Sequence, residues 1–147
     1  MNAIAHARRD IRAPAAAIFA RISDHANTHT WVAPARVRLL EPGTPAPNGV
    51  GALREVSFPA KRLWTTIVER VLSFEPDVGF TYRIERGMPG LRDHLGRFTI
   101  AGGALEWHVE FDFKRWHPLG MIRGSFARTF EAVQREALDE LARQLEA

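Results

Sequence analysis

The chain has 147 residues, of which 46% are hydrophobic and 25% are charged, and it contains no cysteine. Its formal net charge is +3 at pH 7. This balance is typical of a globular protein, so we treat residues 1–147 as a single domain. The lack of cysteine excludes disulfides, thiolate zinc sites and cysteine nucleophiles.

The basic residues are scattered among carboxylates instead of forming the patch or stripe that binds phosphates, so we expect no nucleic-acid partner. The first residues lack the apolar run of a secretory signal. No stretch approaches the ~20 apolar residues of a membrane span. We therefore expect a cytoplasmic protein without a membrane span.

The first predicted elements are a strand and a short helix. Residues 3–11 can form an edge strand, and residues 13–24 place apolar side chains three or four positions apart, which predicts a helix. The next segment, DHANTHTW at 24–31, carries His25 and His29 four residues apart.

After this segment the pattern changes to that of strands, rich in β-branched and aromatic residues and separated by turn-forming residues. The predicted strands are 36–41, 52–58, 65–75, 80–86, 94–100 and 104–113. With the edge strand, this predicts six or seven antiparallel strands.

One strand has an ambiguous inner face. Apolar residues occupy both faces of 65–75, so either Glu69 or Arg70 accompanies them into the interior. Because a buried charge needs a partner or a ligand, we expect this strand to twist and bring its charged residue to the rim.

The last element is an amphipathic helix over about 119–146, ~28 residues and ~40 Å long, with Gly120 and Gly124 making its first turns irregular. A long amphipathic helix after antiparallel strands predicts an α+β domain in which the sheet curls around the helix.

The matching segments, in chain order, are residues 11–24, Trp31, Gly51, 68–84, GMPG at 87–90, 96–111 and the closing helix. Together they resemble the START/Bet v 1-like (SRPBCC) superfamily, within it the polyketide cyclase/dehydrase and lipid-transport group. The resemblance implies a helix-grip fold, in which a curved antiparallel sheet wraps the long C-terminal helix around a hydrophobic cavity. Two short helices are expected after the first strand.

We expect apolar and aromatic residues to line this cavity as ligand-binding groups, although plain core packing is the better explanation for any one of them alone. These residues are Trp31, Phe80, Tyr82, Phe98, Trp107, Val109, Met121 and Phe126.

Three polar residues are candidates for catalysis or ligand orientation. Histidine titrates near neutral pH, and His94 shares strand parity with Phe98, although a histidine at a strand start is commonly solvated. Tyr82 and Ser125 carry hydroxyls that can hold a carbonyl or phenol, or satisfy backbone groups.

The spacing of His25 and His29 is one that metals use, but no third ligand is apparent and Asp24 suits a helix N-cap. We therefore expect no metal and no cofactor. We interpret segment 24–31 as a hinged cavity wall with its histidines at the rim.

The sequence therefore predicts a protein that binds a hydrophobic or aromatic small molecule, polyketide- or lipid-like. Such a protein is either a carrier or a cyclase/dehydratase, and the sequence leaves open whether it is an enzyme. The alternative is a protein-interaction or regulatory module of the same fold. A homodimer is one assembly that the sequence allows.

Overall fold

The computed structural model describes residues 2–60, 63–114 and 117–147. Its elements are β1 (Ala3–Asp10), α1 (Ala15–Ile22), a 3-10 helix (His25–Thr30), β2 (Arg36–Glu41), β3 (Leu53–Ala60), β4 (Leu63–Glu75), β5 (Gly79–Arg86), β6 (Leu91–Ala101), β7 (Ala104–Phe113), a second 3-10 helix (Pro118–Met121) and α2 (Arg123–Glu146). Every predicted strand is present, and β2 and β7 have the predicted bounds.

The seven strands form one antiparallel sheet in the order β1-β7-β6-β5-β4-β3-β2. Helix α2 lies against the inner face of this curved sheet and packs mainly on β1. The α+β helix-grip prediction is confirmed, with α1 and the 3-10 helix His25–Thr30 as the two short helices after β1. No helix in the described part of the chain is long and apolar enough to cross a membrane.

Helix α2 is held by its apolar face and by polar contacts at the sheet edge. Leu138 and Leu141 are almost fully buried, and each contributes roughly 2 kcal/mol on leaving water. Glu131 accepts a hydrogen bond at Oε2 from the backbone N–H of His6, 3.0 Å away. Since β1 is an edge strand, this contact satisfies a donor that the sheet does not pair.

Aromatic side chains fill the inner face of the sheet around Phe98. The Phe98 ring stacks on Trp107 with 4.8 Å between centroids, and it lies 5.2 Å from Phe80 and 6.0 Å from Trp31. Because Phe98 and Trp107 are cross-strand partners in the β6–β7 register, the strand pairing itself creates this stack.

Plain alternation along β4 decides which charge faces inward. Ile67, Glu69 and Val71 are all buried, and the β3–β4 pairing runs through this stretch up to Arg70 without a register shift. Glu69 is buried on the inner face, whereas Arg70 lies outside with its Nε 2.6 Å from Glu85 Oε1. The expectation that the inward charge reaches the rim is wrong, because Glu69 meets a buried partner described below.

Gly96 allows Tyr82 to lie flat across the neighbouring strand. The two residues are register partners, and a Cβ added at Gly96 would lie 2.1 Å from the Tyr82 ring. We expect Gly96→Ala to lower the free energy of unfolding by about 1–3 kcal/mol through overpacking. Urea denaturation measures this change.

Gly120→Ala is the matched control, because the nearest atoms to its added Cβ are 3.8 Å away. That variant should stay within about 0.5 kcal/mol of the parent protein. Equal stability of the two variants would contradict the packing described for Tyr82.

Candidate functional site

A cavity of about 400 Å³ lies between the inner face of the sheet, helix α2 and the segment around the 3-10 helix His25–Thr30. Its lining is mostly apolar. Phe126 and Val133 on α2 belong to the lining and are 38% and 39% exposed, so the cavity meets the surface beside this helix.

The structure brings most of the predicted site residues to this cavity. The predicted residues in its lining are Trp31, Tyr82, His94, Phe98, Trp107, Val109 and Phe126. They come from five separate elements or loops, which only the folded sheet brings together.

Three predicted residues lie elsewhere. Phe80 is buried, but it packs behind the lining against Phe98 and against the ring of His25, 5.5 Å away. Met121 is 92% exposed and Ser125 is also exposed. Placing these two at the cavity was wrong.

The start of α2 explains both corrections. Met121 ends the separate 3-10 helix, before α2 begins at Arg123. The α2 residues at the cavity are Phe126, Thr129, Phe130 and Val133, a helical spacing of three and four. Ser125 lies one position before this series, at its edge in the first turn of α2, and its side chain is exposed.

The most polar part of the lining is a buried ion pair. Arg54 on β3 and Glu69 on β4 are direct register partners, 6% and 7% exposed. Arg54 Nε donates to Glu69 Oε1 at 3.0 Å, and Nη2 lies 2.9 Å from the same oxygen. Burial raises the pKa of Glu69, and the adjacent Arg54 opposes that rise.

His25 holds the other side of the guanidinium. Arg54 Nη1 donates to His25 Nδ1 at 2.9 Å, so the proton of the neutral ring is on Nε2, which donates to the Asn48 carbonyl at 3.0 Å. Burial and the nearby Arg54 charge lower the pKa of His25 to about 3. The ring is therefore a neutral bridge at pH 7, linking the 3-10 helix to β3 and to the loop before it.

His94 lies where two strands separate. The β5–β6 pairing ends at Tyr82 and Gly96, and beyond it the backbone N–H of Ile84 donates to His94 Nδ1 at 3.1 Å. The ring proton is therefore on Nε2. Burial lowers the pKa of His94 to about 4, so at pH 7 this residue brings a neutral N–H donor to the cavity lining.

Tyr82 keeps its proton for a similar reason. Trp107 Nε1 donates to Tyr82 Oη at 2.9 Å, and burial raises the pKa of Tyr82. The phenol oxygen is thus an acceptor towards Trp107 and has one O–H left to donate. The Tyr82 and His94 ring centroids are 5.9 Å apart, so two neutral donors share one part of the lining.

The histidine pair of segment 24–31 is divided. His25 is fully buried and His29 is exposed, so the prediction that both histidines lie at the rim is wrong for His25. Asp24 precedes the 3-10 helix, but its Oδ2 accepts from the Asn27 side chain and makes no cap to the backbone. Among the described residues, no group of three or more His, Cys, Asp or Glu side chains is arranged to hold a metal ion.

Arg54 is missing from the sequence-based candidates, and His25 and Glu69 were each noticed without their partner. One signal was available. Arg54, Val56 and Phe58 alternate on one face of β3, so a charge sits in an otherwise apolar row. Pairing that row with Glu69 requires the β3–β4 register, which the sequence does not reveal.

The buried His25 makes stability dependent on pH. In the unfolded chain His25 titrates near 6.5, whereas in the folded protein it takes a proton only near pH 3. Between these values the unfolded state binds more protons, so stability is full above about pH 6.5 and falls on acidification, by up to about 1.4 kcal/mol per pH unit. Chemical denaturation from pH 7 to pH 4 measures this slope.

We expect His25→Gln to reduce that slope by close to the contribution of one bound proton. The amide of glutamine can accept a hydrogen bond from Arg54 and donate one to Asn48, but it does not titrate. His29→Gln, at an exposed position, should leave the slope unchanged. A parental slope in the His25 variant would contradict the neutral bridge.

Comparison with solved structures places this fold among known ones. The Zhui aromatase/cyclase from Streptomyces sp. R1128 superposes with a TM-score of 0.72 at 18% identity, covering 99% of this chain and 94% of that one. The protein XoxI from Bacillus cereus gives 0.75 at 16% identity, with 97% and 95% covered. A major latex-like protein from Panax ginseng gives 0.65 at 8% identity, with 91% and 97% covered. At these identities the likeness shows the fold alone.

A search of curated proteins by sequence finds no significant match. The family model for polyketide cyclase / dehydrase and lipid transport matches residues 3–146, nearly the whole chain. The resemblance inferred from the sequence is therefore confirmed, and the chain belongs to the polyketide cyclase/dehydrase and lipid-transport family of the START/Bet v 1-like superfamily.

Proposed function

We propose that the chain binds a hydrophobic or aromatic small molecule in the cavity beside α2. The observation that carries this proposal is an apolar cavity of about 400 Å³ with a few polar groups in its lining, which is how small-molecule sites are usually built. Membership of the family supports the same ligand class.

The neutral donors of the lining suggest how such a ligand is oriented. Tyr82 Oη–H and His94 Nε2–H can both donate to a carbonyl oxygen, and the aromatic walls formed by Phe98 and Trp107 can stack on a flat body. The bound molecule is thereby shielded from water, as a carrier requires.

A cyclase or dehydratase is the second candidate. Holding a flexible chain near its reactive conformation accelerates ring closure by positioning, and donors at a carbonyl oxygen stabilise the charge that develops there. His94 and Tyr82 are the proposed proton-handling residues, and Ser125 lies away from the cavity. The Streptomyces neighbour is an aromatase/cyclase, a protein of this class.

The protein-interaction alternative calls for a filled interior, so the open cavity weighs against it. The cytoplasmic location, the lack of a nucleic-acid partner and the homodimer stay predictions from the sequence.

We expect the neutral dye N-phenylnaphthylamine to bind with a stoichiometry of one and with increased fluorescence. Val109→Phe fills part of the cavity and should weaken this binding at least tenfold. Leu72→Phe adds the same ring at an exposed position of β4 and should leave binding unchanged. A fluorescence titration of the three proteins, each first shown to be folded by circular dichroism, makes the comparison.

Absence of dye binding, or equal binding by the Val109 and Leu72 variants, would contradict a ligand site in this cavity.

A further inference from the structure

One carboxylate oxygen in the cavity lining has no partner within the described part of the protein. Both contacts of Glu69 with Arg54 are made by Oε1. No hydrogen bond from a described residue reaches Oε2, although Glu69 is only 7% exposed and belongs to the cavity lining.

The charge of this oxygen follows from its neighbours. The guanidinium of Arg54 keeps its charge at all ordinary pH values, and His25 meets it as a neutral acceptor that contributes no counter-charge. Glu69 forms the ion pair with this buried cation and is therefore its counter-ion. An ionised carboxylate only accepts hydrogen bonds, so Oε2 needs a donor.

The two threonine hydroxyls of the lining are already committed elsewhere. Thr28 Oγ1 donates to the His25 carbonyl at 2.8 Å, and Thr129 Oγ1 donates to the Ser125 carbonyl at 3.1 Å. The third lining hydroxyl, Tyr82 Oη, makes its described hydrogen bond with Trp107 and not with Glu69. A carboxylate oxygen without a hydrogen bond in a mostly apolar cavity carries a cost in free energy. A donor that enters the cavity removes this cost, whether it comes from water or from a ligand.

The oxygen is also held rigidly, which favours recognition. Arg54 is fixed by Glu69 and by His25, and its Cζ lies 4.8 Å from the centre of the Tyr82 ring. A fixed acceptor loses little conformational entropy when a donor binds to it.

We propose that Glu69 Oε2 is the binding group for a hydroxyl of the ligand, so that the cavity prefers neutral phenols and alcohols to molecules of the same shape without an O–H. This inference rests on the proposed function and names its ligand class. Carboxylate ligands are disfavoured, because their charge would meet the charge of Glu69.

A matched pair of ligands tests this preference. β-Naphthol and its methyl ether share one aromatic body and one oxygen, but only the naphthol donates a hydrogen bond. We expect the protein to bind the naphthol at least tenfold more tightly at pH 7, measured by displacement of N-phenylnaphthylamine or by calorimetry.

Equal affinities would overturn the inference and leave the proposed function standing, and tighter binding of the ether would do the same. Binding of neither compound by a protein that still binds the dye would overturn the inference alone, whereas failure to bind the dye as well would overturn both.

Variants assign the preference to Glu69. Glu69→Gln replaces the charged acceptor with a neutral amide of the same shape and should reduce the preference for the naphthol about tenfold. Glu85→Gln, which alters a carboxylate paired with Arg70 outside the cavity, should keep the parental preference. An unchanged preference in the Glu69 variant would overturn the inference.

If Glu69→Gln fails to fold, the double variant Arg54→Met with Glu69→Leu provides the same test, because it removes both charges and leaves an apolar wall. It should bind the naphthol and the ether with equal affinity. A preference that survives in this variant would overturn the inference.

Discussion

The guanidinium of Arg54 cannot give up its proton, so a fold that buries this side chain must supply it with a carboxylate and further acceptors. The β3–β4 register supplies Glu69 directly opposite, and the 3-10 helix after α1 supplies His25. His25 in turn binds the Asn48 carbonyl in the loop before β3. One buried charge thus ties together four segments: the 3-10 helix, the loop before β3, β3 and β4.

This arrangement explains how a mostly apolar cavity can contain charge. The ion pair is neutral as a whole, and the titratable groups beside it, His25, His94 and Tyr82, are held in their uncharged forms by burial. The lining therefore offers fixed donors and an acceptor, Glu69 Oε2, that no described residue bonds, without a net charge. A cavity of this kind distinguishes ligands by their hydrogen-bonding groups while the aromatic walls bind the body of the ligand.

Much of the fold could be predicted, because periodicity alone distinguishes strands from helices. The alternation in β2 and β7 gave their bounds, and the three-to-four spacing gave α2. The same parity placed Tyr82, Phe98, Trp107 and Val109 on the inner face, and all four line the cavity. The positions of these residues follow from local alternation, which can be read directly from the sequence.

The ion pair could not be predicted in the same way, because it depends on long-range pairing. Apolar residues occupy both faces of β4, so local alternation does not tell whether Glu69 or Arg70 faces inward, and only the β3–β4 register places Arg54 opposite Glu69. The errors at Met121 and Ser125 have a related cause. Amphipathic spacing locates α2 well, but it does not tell which residue begins the helix, and the first turn sets which side chains face the cavity.

The central claim is that Arg54 and Glu69 stabilise the fold as a coupled pair, and a double-mutant cycle of unfolding free energies tests it most directly. Arg54→Met and Glu69→Leu, made singly, should each destabilise by about 3–5 kcal/mol, because each leaves an uncompensated buried charge. The double variant should lose much less than the sum, with a coupling energy of about 2 kcal/mol or more. Additive losses would contradict the account, because they would mean that the two charges do not depend on each other.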